Sequence, residues 1–253
     1  MINIEGLSFD YGHNEILKDI SVDIKQGQLY ALFGPNGSGK TTLLKCIAGL
    51  LKYKRGTIML MNRDIKALGP KKLSKYISYV PQEHRVSFPF TVEEVVLMGR
   101  TPHIGHFSGP SRDDVNYTED AMERIGIQSI ANRPYTELSG GQRQLVLLAR
   151  AFAQDTPIIV LDEPTTALDF QNQINVWRIL KSLIKYNKTV ITCTHDPNHV
   201  SWFCDSVIVL NNGYIVETGP ARNVMNNKML NSLYSDICYV ILHRDMTIVL
   251  PNI

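Results

Sequence analysis

Apolar and polar positions alternate through the first thirty residues: Ile2 and Ile4, then Leu7, Phe9 and Tyr11, then Val22 and Ile24, with Gly12 and Gly27 as breaks. A period of two predicts antiparallel strands covered on one face. The pattern then changes. Gln28 to Phe33 reads as a buried strand ending in a glycine-rich turn, and Lys40 to Ala48 as a helix with Gly49 as its stop. Further buried strands are expected at Ile77–Val80, Ile158–Asp162, Thr189–Cys193 and Val207–Leu210. Short apolar strands separated by helical stretches predict a largely parallel sheet covered on both faces.

From about residue 88 to 153 the strand pattern disappears and helix signals crowd in. Thr91 with Glu94 makes a capping box ahead of Val95, Val96 and Met98, with Gly99 as the expected stop. Ser111 with Asp114 offers a second start, leading to Val115, Met122 and Ile125 on one face. Ser139 with Gln142 is a third, ahead of Leu145, Leu148, Ala149 and Phe152 at helical spacing. These segments predict a helical lobe inserted into an α/β core. Beyond Gly219-Pro220, Cys238–Leu242 and Thr247–Leu250 are short strand-like pieces to which the sequence attaches no function.

Composition narrows the class. The 44% hydrophobic and 20% charged fractions of this 253-residue chain are those of an ordinary globular protein. A net charge of +2 gives no electrostatic case for nucleic acid or an anionic lipid surface. The clusters Lys52, Lys54, Arg55 and Lys71, Lys72, Lys75 read as solvated turns and helix ends. Four cysteines without C-x-x-C spacing, two of them (Cys46, Cys193) inside apolar segments, suit a reduced compartment. Met1 leads directly into a strand pattern, so no signal peptide is expected. No apolar run approaches the ~20 residues that span a bilayer, so a membrane partner would have to be another chain.

Three motifs carry chemistry. Gly34-Pro35-Asn36-Gly37-Ser38-Gly39-Lys40-Thr41 fills the phosphate-loop pattern, between a strand and a helix that continues through Thr42. Its glycines turn backbone N–H groups inward as an anion nest, at a helix N-terminus that adds positive charge. Lys40 would neutralise the β- and γ-phosphates, and Thr41 would ligate Mg²⁺. Ile158 to Leu161 then delivers Asp162 at the carboxyl end of a buried strand, where it would hold the Mg²⁺ shell. Glu163 follows, as a general base for the attacking water. Leu138-Ser139-Gly140-Gly141-Gln142 is a second capped helix start whose two glycines cost about 1 kcal/mol each in helix propensity. An ordinary helix start has no use for them.

With that pentapeptide the chain resembles the ATP-binding cassette (ABC) family, over residues 1 to about 225 and with the motifs in family order. The resemblance implies an α/β fold: a RecA-like parallel-sheet core (1–87 and 154–225) with an antiparallel β subdomain, an inserted α-helical subdomain (88–153) and a C-terminal extension (226–253). It implies ATP and Mg²⁺ as cofactors. Tyr11 matches the aromatic that stacks on adenine, and Gln82 the glutamine that contacts Mg²⁺ and the attacking water and links the core to the helical lobe. His195 matches the histidine that contacts the γ-phosphate, and Ala167-Leu168-Asp169 the segment that crosses to a partner cassette. Ser139, Gly140, Gly141 and Gln142 would act in trans on the nucleotide of a second copy, making an ATP-sandwich homodimer. Thr166 departs from the serine common in relatives, and Cys193 and Pro197 are less usual neighbours of the histidine. Neither departure removes a catalytic group.

Within the family, a single cassette with no coiled-coil insertion argues against soluble cassettes of DNA repair or translation, and the intact motifs argue against a non-catalytic one. A transporter subunit remains, peripheral on the cytoplasmic face of the membrane through a separate permease. Val96 to His103 is similar to a stretch found in importers of iron chelates, haem and cobalamin, with molybdate or tungstate importers as the alternative. A solute-binding protein would be an indirect partner. His103 and His106 are expected in a flexible loop facing the permease rather than on a metal, since no carboxylate or cysteine completes a set. Docking is expected between Gln82 and Phe107.

Overall fold

The computed structural model describes the chain apart from residues 83–88, 106–107, 167, 245 and 253. In chain order, strands β1 (Ile2–Tyr11), β2 (Asn14–Ile24) and β3 (Leu29–Phe33) lead into helix α1 (Lys40–Ile47). There follow β4 (Arg55–Leu60), β5 (Arg63–Asp64), the single turn α2 (Pro70–Leu73) and β6 (Ile77–Val80). Helices α3 (Val92–Leu97), α4 (Arg112–Ile125) and α5 (Gly140–Ala153) come next, with no strand among the described residues between them. Then come β7 (Ile158–Asp162), α6 (Phe170–Leu183), β8 (Thr189–Thr194) and α7 (Pro197–Phe203). β9 (Ser206–Asn211), β10 (Tyr214–Pro220), α8 (Ala221–Val224), α9 (Asn227–Tyr234), β11 (Cys238–His243) and β12 (Met246–Pro251) complete the chain.

Packing divides these elements into two units, Met1–Leu68 with Leu180–Ile253, and Gly69–Ile179. In the first unit the period-two segments form an antiparallel sheet in the order β2-β1-β4-β5. One face is buried (Ile2, Ile4, Leu7, Leu17, Ile20, Ile24) and the alternate positions face water, as the pattern requires. Strand β3 instead is buried at all five positions, because it runs parallel between β8 and β9. An all-apolar strand is what a doubly covered parallel sheet needs, each large side chain contributing about 1.5–3 kcal/mol on burial. Strand β10 adds to β9 antiparallel, and β11 pairs with β12 in a separate hairpin.

In the second unit β6 and β7 run parallel, so the helices α3–α5 share a unit with two strands of the core. All three capping boxes form as the sequence predicts: Thr91 with Glu94, Ser111 with Asp114, and Ser139 with Gln142. Two expectations are corrected. Helix α3 does end just before Gly99, at Leu97 with Met98 as its cap, but Gly99 is part of a 3-10 turn, Met98–Arg100, rather than a left-handed stop. Glycine stands there because a Cβ would lie 2.2 Å from the carbonyl oxygen of Arg150, so its absence lets this turn touch α5. Nor is α5 buried on one stripe, since Val146, Leu147, Leu148, Ala149, Ala151 and Ala153 are all covered. Neighbours on several sides bury such a helix around most of its circumference.

Cys46, Cys193 and Cys204 are buried and none of the four thiols is bridged. Burial pushes the Cys46 thiol up to about 12, which makes it a packing group rather than a nucleophile. Among the described residues, no helix is long and apolar enough to cross a membrane.

Candidate functional site

The phosphate loop lies in the first unit, between the buried end of β3 and the start of α1. Its shape depends on three glycines in the left-handed region: Gly34 (φ 149), Gly37 (φ 79) and Gly39 (φ 104). A Cβ at Gly34 would meet the Leu210 carbonyl oxygen at 2.0 Å, so β9 packs against the loop as closely as its backbone permits. Gly213 N–H donates to the Ser38 carbonyl at 3.3 Å and ties the β9–β10 turn to the loop. Lys40 is buried, its Nζ donating to the Gly34 and Pro35 carbonyls at 2.8 and 2.9 Å. Thr42 is buried behind it and Thr41 half-buried.

Ser38 Oγ is buried and has no hydrogen-bond partner among the described residues. A buried hydroxyl without a partner is costly unless a ligand satisfies it. With an anion nest and a buried ammonium around it, the group that fits is a phosphate. Tyr11, at the end of β1, is 55% exposed and stands edge-on to Phe9 with ring centroids 4.8 Å apart. Its ring is open to stacking.

His195 is exposed, between the last residue of β8 and the cap of α7. Its neighbours are fixed on both sides. Asp196 N–H donates to Thr194 Oγ1 at 3.2 Å, and Asp196 Oδ1 accepts from the Asn198 and His199 N–H groups at 2.8 and 3.3 Å. Pro197 occupies the first helical position, where its missing N–H is harmless.

The carboxylates lie in the second unit. Strand β7, buried at every position, brings Asp162 to its carboxyl end at 2% exposure. Tyr79 Oη donates to Asp162 Oδ2 at 3.3 Å from the neighbouring β6. Glu163 follows with φ 48, in the left-handed region that side-chain-bearing residues rarely adopt. Its Oε2 accepts from Gln82 Nε2 at 3.3 Å and from Thr166 Oγ1 at 3.0 Å. The structure thus joins Gln82 to Glu163, a contact between residues 81 positions apart. Thr166 and Tyr79 are partners that sequence reasoning missed; only the nearness of Thr166 to Glu163 could have suggested the first.

Asp169 Oδ1 and Oδ2 accept from Asn172 N–H and Nδ2 at 2.8 and 3.0 Å, which caps α6. Its neighbour Ala167 lies outside the described residues. Ser139 and Gly140 are exposed at the start of α5, with Gly141 and Gln142 half-buried. Ser139 Oγ accepts the Gln142 N–H at 3.3 Å, and Gln142 Oε1 accepts the Ser139 N–H at 3.2 Å. Among the described residues no Cβ clash explains Gly140, whose surroundings are open. The glycine puts no side chain over that capped helix end.

The expected docking stretch is less accessible than the sequence suggests. Gly99 and Arg100 are buried. Arg100 Nε pairs with Asp114 Oδ1 at 2.9 Å, Nη1 donates to the Ala153 carbonyl at 2.7 Å, and the guanidinium lies 4.1 Å from the Tyr117 ring centre. The Ser111 side-chain and backbone donors, and then Arg100, hold Asp114 down at about 2. The loop beyond it is a bonded turn where described: His103 Nε2 meets the Gln154 carbonyl at 2.9 Å, and Lys71 Nζ donates to the Ile104 carbonyl at 3.3 Å. His106 and Phe107 lie outside the described residues. Among the described residues no three His, Cys, Asp or Glu side chains gather as a metal site. Magnesium needs none, since it binds through one or two protein oxygens together with phosphates.

Comparison with known proteins agrees with this geometry. Residues 17–166 match the ABC transporter family. The chain is 37% identical over 234 residues to a cobalamin import ATP-binding protein of Halobacterium salinarum, covering 92% of this chain but spanning only 58% of that relative's length. It is 35% identical over 253 residues to a hemin import ATP-binding protein of Rhodococcus jostii, covering 99% of this chain and 86% of the relative. A solved structure described as an inward-facing conformation of a metal-chelate type ABC transporter is similar over 100% of this chain and 97% of its own, with a TM-score of 0.86 at 31% identity. The chain belongs to the ABC transporter family, as one of its ATP-binding cassettes.

Proposed function

We propose that the chain binds and hydrolyses ATP to power an importer of a metal chelate, namely an iron-siderophore, haem or cobalamin. The observation that carries the ATP reading is Ser38 Oγ, buried and unpartnered inside a nest of three left-handed glycines beside a buried lysine. Gly34 and Asn36 to Gly39 with Thr42 cradle the phosphates through backbone N–H groups while Pro35, which has none, shapes the loop; Lys40 neutralises the β- and γ-oxygens, and Tyr11 stacks on adenine. Mg²⁺ would supply charge neutralisation at the phosphates, and Thr41, Asp162 and Gln82 would offer the protein oxygens to hold it. Glu163 takes a proton from the attacking water, and His195 contacts the γ-phosphate. Catalysis on this reading is positioning plus charge neutralisation.

A second copy supplies Ser139, Gly140, Gly141, Gln142 and Asp169 in trans, so that two ATP molecules are sandwiched head to tail. A polytopic permease holds the dimer on the cytoplasmic face of the membrane, and a solute-binding protein delivers the cargo. With Gly99 and Arg100 buried, the docking surface reduces to exposed positions such as Met98, Thr101 and His103. What supports the cargo class is the similarity to proteins named for cobalamin and hemin import and for metal-chelate transport.

The test is ATPase stimulation in proteoliposomes holding the cassette and the permease encoded beside it. Binding protein loaded with one of the three chelates is expected to stimulate hydrolysis. Stimulation by molybdate alone would move the assignment to the oxyanion importers, and stimulation by an amino acid or sugar would overturn the cargo class.

A further inference from the structure

The C-terminal hairpin has no part in the mechanism above, yet it is bonded to α7, the helix that begins two residues after His195. A two-stranded hairpin is marginal in water without support. Here β12 lies along α7, and polar groups tie the two together. Asn198 Nδ2 donates to the Val249 carbonyl at 3.1 Å, while Asn198 Oδ1 accepts the Val249 N–H at 2.8 Å. Trp202 Nε1 donates to the Thr247 carbonyl at 3.0 Å. The Asn198 amide therefore behaves as an added strand residue, taking both backbone groups of Val249.

Asn198 is also the second residue of α7, and its own N–H is bonded to the cap, Asp196. Asp196 immediately follows His195. A helix of seven residues is far below the length that is stable alone, so what grips its first turn decides where that turn sits. On one side of His195 the chain is anchored in the buried strand β8 through Thr194. On the other it is anchored through Asp196 and Asn198 to the hairpin.

We propose that Asn198 is a positioning residue for His195, through which the C-terminal hairpin holds that histidine in register with the γ-phosphate. The inference rests on the reading of His195 given above. Losing the grip lets the first turn of α7 and its cap shift, which affects the reacting phosphate and leaves the phosphate loop and adenine stacking intact.

The test uses the purified full chain. Asn198→Ala is expected to lower kcat roughly 10-fold, less than the ~10²-fold that a 1 Å misplacement can cost, with the KM for ATP unchanged. Val249→Pro removes the N–H that Asn198 accepts without touching the β11–β12 ladder, since both polar groups of Val249 point to Asn198. It should give the same fall, with no further loss when combined with Asn198→Ala. In a His195→Ala background, Asn198→Ala should leave residual single-turnover hydrolysis unchanged. Should Asn198→Ala lose its cooperative thermal transition, Val249→Pro decides by the same criteria. Wild-type kcat in the variants, or an equal further loss on top of His195→Ala, would overturn the inference while leaving His195 in its role. Full hydrolysis by His195→Ala itself would overturn both.

Discussion

At the scale of one residue, Glu163 is the base of the proposed mechanism. It holds a left-handed backbone conformation that costs of order 1–3 kcal/mol, at the end of a fully buried strand and directly before Pro164. Such strain persists only where surrounding packing enforces it, and here β7 and the two donors to Oε2 do so. Glu163→Gln is expected to keep ATP binding but to lose hydrolysis by roughly 10²–10⁴-fold, as measured by phosphate release and nucleotide binding on the same sample. Near-normal turnover would remove the residue from the role of base. A second residue-scale effect concerns Asp114. Its folded pKa of about 2 lies below the ordinary aspartate value, so it contributes stability that is complete above about pH 4. That contribution is lost as pH falls from about 4 toward 2, and Asp114→Asn should flatten the acid limb of the stability curve in that window.

At the scale of elements, the helical segment depends on one close approach. The 3-10 turn after α3 reaches α5 only because Gly99 lacks a Cβ, and Arg100 next to it is anchored to Asp114 and the Ala153 carbonyl. Gly99→Ala should push these elements apart and cost about 1–3 kcal/mol, the range for an overpacked core, read as a lower midpoint in urea with an unchanged slope. An unaltered midpoint would mean that the turn has room that the 2.2 Å contact denies. The same packing explains why an arginine in a stretch expected to face a partner is buried instead. Its charge is balanced by a carboxylate and a ring rather than by water.

At the scale of the whole molecule the expectation is a dimer in which each chain completes the other's site. Ser139→Arg and Lys40→Ala would each disable the homodimer at both sites. Mixed together they leave one site with both groups intact in every heterodimer. ATP-driven closure of the mixture, followed by cross-linking between protomers, should exceed that of either variant alone. No gain on mixing would mean that each chain builds its nucleotide site by itself. An exposed helix start with a glycine that no neighbour among the described residues requires is what such an arrangement asks of Ser139 and Gly140.

The α/β class, the phosphate loop and all three capping boxes were legible in the sequence, because each depends on residues within a few positions of one another. Alternation of period two, a continuous apolar run and a Ser-x-x-Gln spacing state their geometry locally. Relations between distant positions were not legible. Gln82 meets Glu163 across 81 positions, Asn198 pairs with Val249 across 51, and Gly99 is a glycine because of Arg150. Nothing near Asn198 marks it as a partner for a strand, and nothing near Gly99 separates a helix stop from a point of close contact. Those assignments belong to packing, which selects partners by the shape and unsatisfied polar groups of whole elements once they are brought together.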